Sequence, residues 1–193
     1  MIGLTIDSIA VGDSAQITRR VTDDDIAGFV DAVGDYNPVH SDREYAAGTV
    51  FKEPIAPGIW TAGLISAVIG TRLPGPGAIY VSQDLTFRKP VKPGDSISAR
   101  VEVVEVSREK NRLRLRTVCT NQRAEEVVTG EAVVMPSRAP IAYARSAESA
   151  GALVLWALQP LAWMAQGAAI AGLLGLSAFS ALTPITSGRP LSK

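Results

Sequence analysis

Asp35 and His40 are the residues of this chain best suited to moving protons. His40 is the only histidine in 193 residues, and imidazole is the side chain that ordinarily titrates closest to neutral pH. Asp35 stands five positions before it, with the turn-forming pair Asn37-Pro38 between them. A carboxylate and an imidazole brought together by a turn can divide general-base and general-acid work between them. The spacing does not say which group takes which role. The bland alternatives are a surface histidine and a turn aspartate, the latter being ordinary directly after Gly34.

Composition narrows the chemistry further. Nineteen Lys and Arg balance nineteen Asp and Glu, so the formal net charge is zero. No global field favours nucleic acid, and none is expected as a partner. Cys119 is the single cysteine, which forbids an internal disulfide and suits a reducing, cytoplasmic compartment. One His and one Cys cannot assemble a His/Cys zinc cluster, so no metal and no other cofactor is expected. The N-terminal residues lack a basic segment followed by an apolar one, so no signal peptide is expected.

The elements that must hold Asp35 and His40 can be read outward from them. Residues 4–21 carry short β-prone runs, among them 14–18. Thr22 followed by Asp23, Asp24 and Asp25 is a helix start, with a hydroxyl cap and acids at the positive end of the dipole. Ile26, Phe29, Val30 and Val33 then form an apolar stripe that stops at Gly34, a suitable left-handed terminator. Asp35–His40 therefore lies on the loop leaving this helix. Ser41-Asp42 opens a short helix over 43–47, and the Pro/Gly-rich stretch 53–58 makes a turn. Residues 59–72 are apolar around most of the helical circumference, which predicts a helix buried on nearly all sides. From about 78 to 136 the period changes to two. Strands are predicted over 78–88, 97–103, 112–119 and 126–135, with a bulge where the phase slips at Val103-Val104. Helices first and strands after argue an α+β fold, with an antiparallel meander curled around the apolar helix.

Several of these stretches together resemble the MaoC-like (R)-specific enoyl-CoA hydratases. The residues that carry the resemblance are Gly34-Asp35-Tyr36-Asn37-Pro38-Val39-His40, Tyr45-Ala46, Pro54-Ile55-Ala56-Pro57-Gly58, and Phe87-Arg88-Lys89-Pro90-Val91 with Gly94-Asp95. The likeness spans roughly residues 5–136. It implies a hotdog fold, an antiparallel sheet wrapped around a long central helix, and a homodimer. It also implies water addition to a trans-2-enoyl-CoA, giving the (R)-3-hydroxyacyl-CoA, with Asp35 and His40 holding the water. The Gly58 N–H is implied as the oxyanion donor, Ser66 as a further site position and Asn37 as a support for the loop. The family commonly has His before this glycine, where this chain has Pro57. A 3-hydroxyacyl-ACP dehydratase would use the same residues on another carrier. A silent, membrane-tethered hotdog subunit that binds or scaffolds is the reading from a different class.

Three further features are weighed against bland readings. Arg88, Lys89 and Lys92 could meet coenzyme A phosphates, and Arg112, Arg114 and Arg116 form a basic strand face, but solvated surface charge is the simpler account. Cys119 falls in the inward phase of its strand and reads as core. The expected boundary of the hotdog domain is 1–138, with 139–193 an Ala/Gly-rich extension. No charged residue occurs from 149 to 188. The uncharged segment 161–182 is 22 residues long, against the roughly 20 a membrane span needs. Association with a membrane or lipid surface through 150–186 is weighed against packing on the domain and against disorder.

Overall fold

The computed structural model describes residues 1–144. The extension from residue 145 onward, with the uncharged run over 149–188 and the expected membrane association through 150–186, lies outside the described residues.

The first helix forms where its capping signals stand. α1 spans Asp23–Val33. The Thr22 side chain accepts the Asp25 N–H, and the Asp25 carboxylate accepts the Thr22 N–H in return. This reciprocal box satisfies two amides that a helix start leaves orphaned. Arg19, from strand β2 (Ser14–Arg20), pairs with the same carboxylate. Gly34 ends the helix in the left-handed region at φ 74°. α2 spans Arg43–Gly48, capped by the Asp42 side chain on the Tyr45 N–H at 2.9 Å.

Four strands follow the central helix α3, Gly58–Thr71. They are β3 (Ile79–Phe87), β4 (Ser96–Ser107), β5 (Arg112–Thr120) and β6 (Glu126–Met135). With β2 they make one antiparallel sheet in the order β2-β4-β5-β6-β3. The expected meander holds only from β4 to β6. β3 does not neighbour β4; it lies at the far edge, paired to β6 from Ile79↔Met135 to Phe87↔Val128. The connection over residues 88–95 is too long for a tight hairpin. It runs instead past the start of α3, where the Ala56 N–H donates to the Val91 carbonyl at 2.8 Å. The register slips between Val103 and Glu105, at the expected bulge, and slips again between Tyr80 and Ser82. A two-stranded ribbon pairs β1 (Ile2–Gly3) with β7 (Ile141–Ala142), so ordered pairing continues past residue 138.

Alternation along the strands builds the core. Ile97, Ala99, Val101 and Val103 of β4, and Leu113, Leu115 and Cys119 of β5, have no exposed surface. They meet Leu64, Ile65, Val68 and Ile69 from one face of α3. Each large apolar side chain so buried contributes roughly 1.5–3 kcal/mol. The other face of α3 corrects the expectation of a helix buried nearly all round: Gly58, Ile59, Gly63, Ser66 and Gly70 are exposed. Most of these residues are small, and they recur at three- and four-residue spacing on one side. An apolar composition alone does not distinguish that face from a buried one. Gly130 has a packing reason of its own. A Cβ there would sit 1.8 Å from the Asp84 carbonyl oxygen on the neighbouring strand.

Candidate active site

The end of α1 delivers Asp35 and a pinned loop delivers His40. Past Gly34, the Asp35 N–H still reaches back to the Val30 carbonyl at 3.2 Å. The Asn37 side-chain oxygen accepts the Val39 N–H at 3.3 Å, and the Asn37 carbonyl accepts the His40 N–H at 3.0 Å. Together these bonds close the turn between the two titratable groups. His40 Nε2 comes to 3.6 Å from Asp35 Oδ2. That is outside direct hydrogen-bond distance, and it suits two groups that share a third, hydrogen-bonded partner. The imidazole side chain is 9% exposed and the carboxylate side chain 45% exposed.

The tautomer of His40 follows from its second contact. Nδ1 lies 2.8 Å from the Ile55 carbonyl oxygen. A carbonyl can only accept, so Nδ1 carries the hydrogen. In the neutral ring Nε2 is then a lone-pair acceptor, and it is Nε2 that faces Asp35. This partner is not legible in the sequence, because a backbone carbonyl fifteen residues away has no side-chain signature. Ile55 is itself held: its N–H donates to the Val39 carbonyl at 3.2 Å. The turn over 54–57 is thus fastened to the Asp35–His40 loop on one side and to Val91 on the other.

Gly58 begins α3 directly after this turn. Pro57 is the N-cap residue and supplies no side-chain cap. Among the described residues, no acceptor pairs with the Gly58 N–H. An uncapped helix start of this kind presents an amide and a positive dipole end to whatever approaches. Phe87 packs tightly against this glycine: a Cβ on Gly58 would lie 2.7 Å from Phe87 Cε1. Ser66 is two helical turns further on, also on the exposed face. It does not line the cavity that Gly58 lines.

That cavity has a volume of about 430 Å³. Its walls include Phe51, Ile55, Phe87, Val91 and Val128, with Gly58 and Thr61 contributed by α3. Asp35 and His40 do not line it; the turn over residues 55–58 connects the two, because Ile55 both clamps His40 and walls the cavity. The basic residues of the 88–92 stretch are engaged with acids. Lys89 pairs with Glu125 at 2.6 Å, Lys92 with Glu53 at 2.5 Å, and Arg88 with Glu126 at 3.7 Å. Arg114 pairs with Glu105 and Glu131. These are the solvated ion pairs of the bland reading. Cys119 is core, and burial pushes its thiol up to about 12.

Comparison with known proteins fits this geometry. Residues 10–128 match the MaoC like domain, and the chain belongs to that family. A 3-hydroxybutyryl-CoA dehydratase of Methylorubrum extorquens is 47% identical over 132 residues, covering 68% of this chain and 83% of that one. An (R)-specific enoyl-CoA hydratase of Rhodospirillum rubrum is also 47% identical, over 133 residues, covering 68% and 92%. Among solved structures, the unliganded R-hydratase PhaJ1 from Pseudomonas aeruginosa superposes with a TM-score of 0.69 at 42% identity. It covers 75% of this chain and 94% of its own. The hotdog architecture expected from the sequence is therefore the observed one.

Proposed function

We propose that this protein adds water to trans-2-enoyl-CoA thioesters to give (R)-3-hydroxyacyl-CoA, or runs the reverse dehydration. The carrying observation is the approach of His40 Nε2 to Asp35 Oδ2 at 3.6 Å, with Nδ1 committed to the Ile55 carbonyl. In the resting site both facing atoms are acceptors, so a water can donate one hydrogen to each. Its oxygen attacks C3 while one dyad member takes its proton and the dyad returns a proton to C2. Overall H and OH add across the double bond, and the dyad ends as it began. The enolate that develops on the thioester oxygen is met by the Gly58 N–H at the uncapped helix start. Asn37 holds the turn that sets the dyad distance. Ser66 serves as a further site position on the open face of α3.

Two relatives at 47% identity are named for coenzyme A thioesters. Dehydratases named for acyl-carrier-protein thioesters are more distant, at 36% and 33%. Coenzyme A is therefore the carrier proposed. The enzyme works as a homodimer. Among the described residues β3 is paired on one side only and carries exposed Ile79 and Val81, and α3 beside it exposes Ile59. Open apolar edges of this kind are normally covered. The uncharged run over 149–188 supports association of a cytoplasmic enzyme with a membrane or lipid surface. Hydration of crotonyl-CoA, with chiral analysis of the product, tests the activity. An (R) product supports it, whereas an (S) product or no turnover across enoyl chain lengths overturns it. Flotation with anionic vesicles tests the tail: the full chain should float, and a chain ended at residue 145 should not.

A further inference from the structure

Thr61 is the one buried side-chain N or O group among the described residues that has no hydrogen-bond partner. It is 1% exposed and sits in the first turn of α3, three residues after Gly58. A threonine inside a helix usually turns its hydroxyl onto the carbonyl four residues back. Here that carbonyl belongs to Pro57, which accepts the Trp60 N–H at 3.0 Å, and the Thr61 hydroxyl makes no bond to it. A buried hydroxyl left unpaired is unfavourable, and valine would fill the same shape without that cost. An unpaired hydroxyl kept at such a place is accounted for by a ligand that pairs with it.

The surroundings say where that ligand atom lies. Thr61 and Gly58 both line the cavity of about 430 Å³, whose other walls are largely apolar. Helical side chains lean toward the N-terminus, so the Thr61 side chain leans back toward the turn that Gly58 opens. The backbone of Thr61 is itself anchored, its carbonyl meeting Cys119 Sγ at 3.8 Å. We propose that the Thr61 hydroxyl is a second hydrogen-bond donor, beside the Gly58 N–H, to the thioester oxygen of bound substrate. This rests on the hydratase reading above. The hydroxyl has no partner among the described residues and gains one when the thioester binds. Its bond strengthens as charge develops on that oxygen.

Three full-length proteins decide the matter: wild type, Thr61→Val and Thr61→Ser, assayed for crotonyl-CoA hydration and melted in parallel. Thr61→Val should lower kcat about 10- to 100-fold, with KM within about 3-fold, as expected for a donor used mainly in the transition state. Its melting temperature should equal or exceed that of wild type. Thr61→Ser, which keeps the hydroxyl, should retain most of kcat. Unimpaired turnover in Thr61→Val, with an active wild type, overturns this inference alone. So does a parallel loss of turnover and melting temperature in both variants, which would make the residue structural. A wild-type chain that hydrates no enoyl-CoA overturns the functional reading beneath it.

Discussion

Replacing Gly58 with alanine separates site geometry from stability. The added Cβ would lie 2.7 Å from Phe87 Cε1, 2.9 Å from Cδ1 and 3.2 Å from Cζ. Carbon atoms pack best at roughly 3.5–4.0 Å, so the ring must withdraw by about 1 Å. Phe87 is half exposed at the end of β3, so it can swing toward solvent without pressing on the core. The steric cost then falls near the low end of the roughly 1–3 kcal/mol typical of overpacking. Exchanging Gly for Ala in a helix returns about 0.5–1 kcal/mol. The two nearly cancel, and the melting temperature should stay within about 4 °C of wild type. Activity should not be spared. Phe87 walls the same cavity as Gly58, and a displacement of about 1 Å can cost on the order of 100-fold. Crotonyl-CoA hydration and a thermal melt on the same preparation read both quantities. Wild-type kcat/KM in Gly58→Ala would refute the claim that substrate depends on the cavity wall that Gly58 and Phe87 form. A large fall in melting temperature would refute the division of energies.

Other outcomes follow from single residues. Bonds from Asn121, then Lys89 and Arg123, hold the Glu125 carboxyl down at about 2. A depressed folded pKa gives stability that is present above the ordinary carboxylate range and lost as pH falls toward 2. Glu125→Gln should therefore lose stability at pH 7 and show a shallower acid decline in denaturant titrations between pH 5 and 2. Burial raises the Cys119 thiol to about 12, so thiol reagents should leave the native protein unlabelled and label it once in denaturant. Ile65, fully buried under the sheet, should cost about 2–5 kcal/mol on truncation to alanine, read by urea unfolding.

What was legible in the sequence was local. The Thr22 cap, the left-handed Gly34 and the bulge at Val103-Val104 are written in residue type and phase, and each stands where those signals put it. What was not legible depends on distant backbone. Strands near in sequence usually pair, which puts β3 in a meander, but its connection to β4 is drawn past the start of α3 by the Ala56–Val91 bond. The open face of α3 is hidden because small residues such as Gly63 and Gly70, and an apolar one such as Ile59, read the same whether covered or not. At the site, the sequence motif led to Asp35 and His40 but not to the Ile55 carbonyl that fixes the imidazole tautomer. Thr61 carried no motif either, and only its missing partner draws notice.

The central claim is that Asp35 and His40 act together on one water. Steady-state hydration of crotonyl-CoA by Asp35→Asn, His40→Ala and the double variant tests it most directly. Each single change should lower kcat by about 10²- to 10⁴-fold, with the fold intact by circular dichroism. The double variant should be little worse than either single, as for groups that work as a unit. Near-wild-type turnover in either single variant, or losses that multiply in the double, would contradict the account.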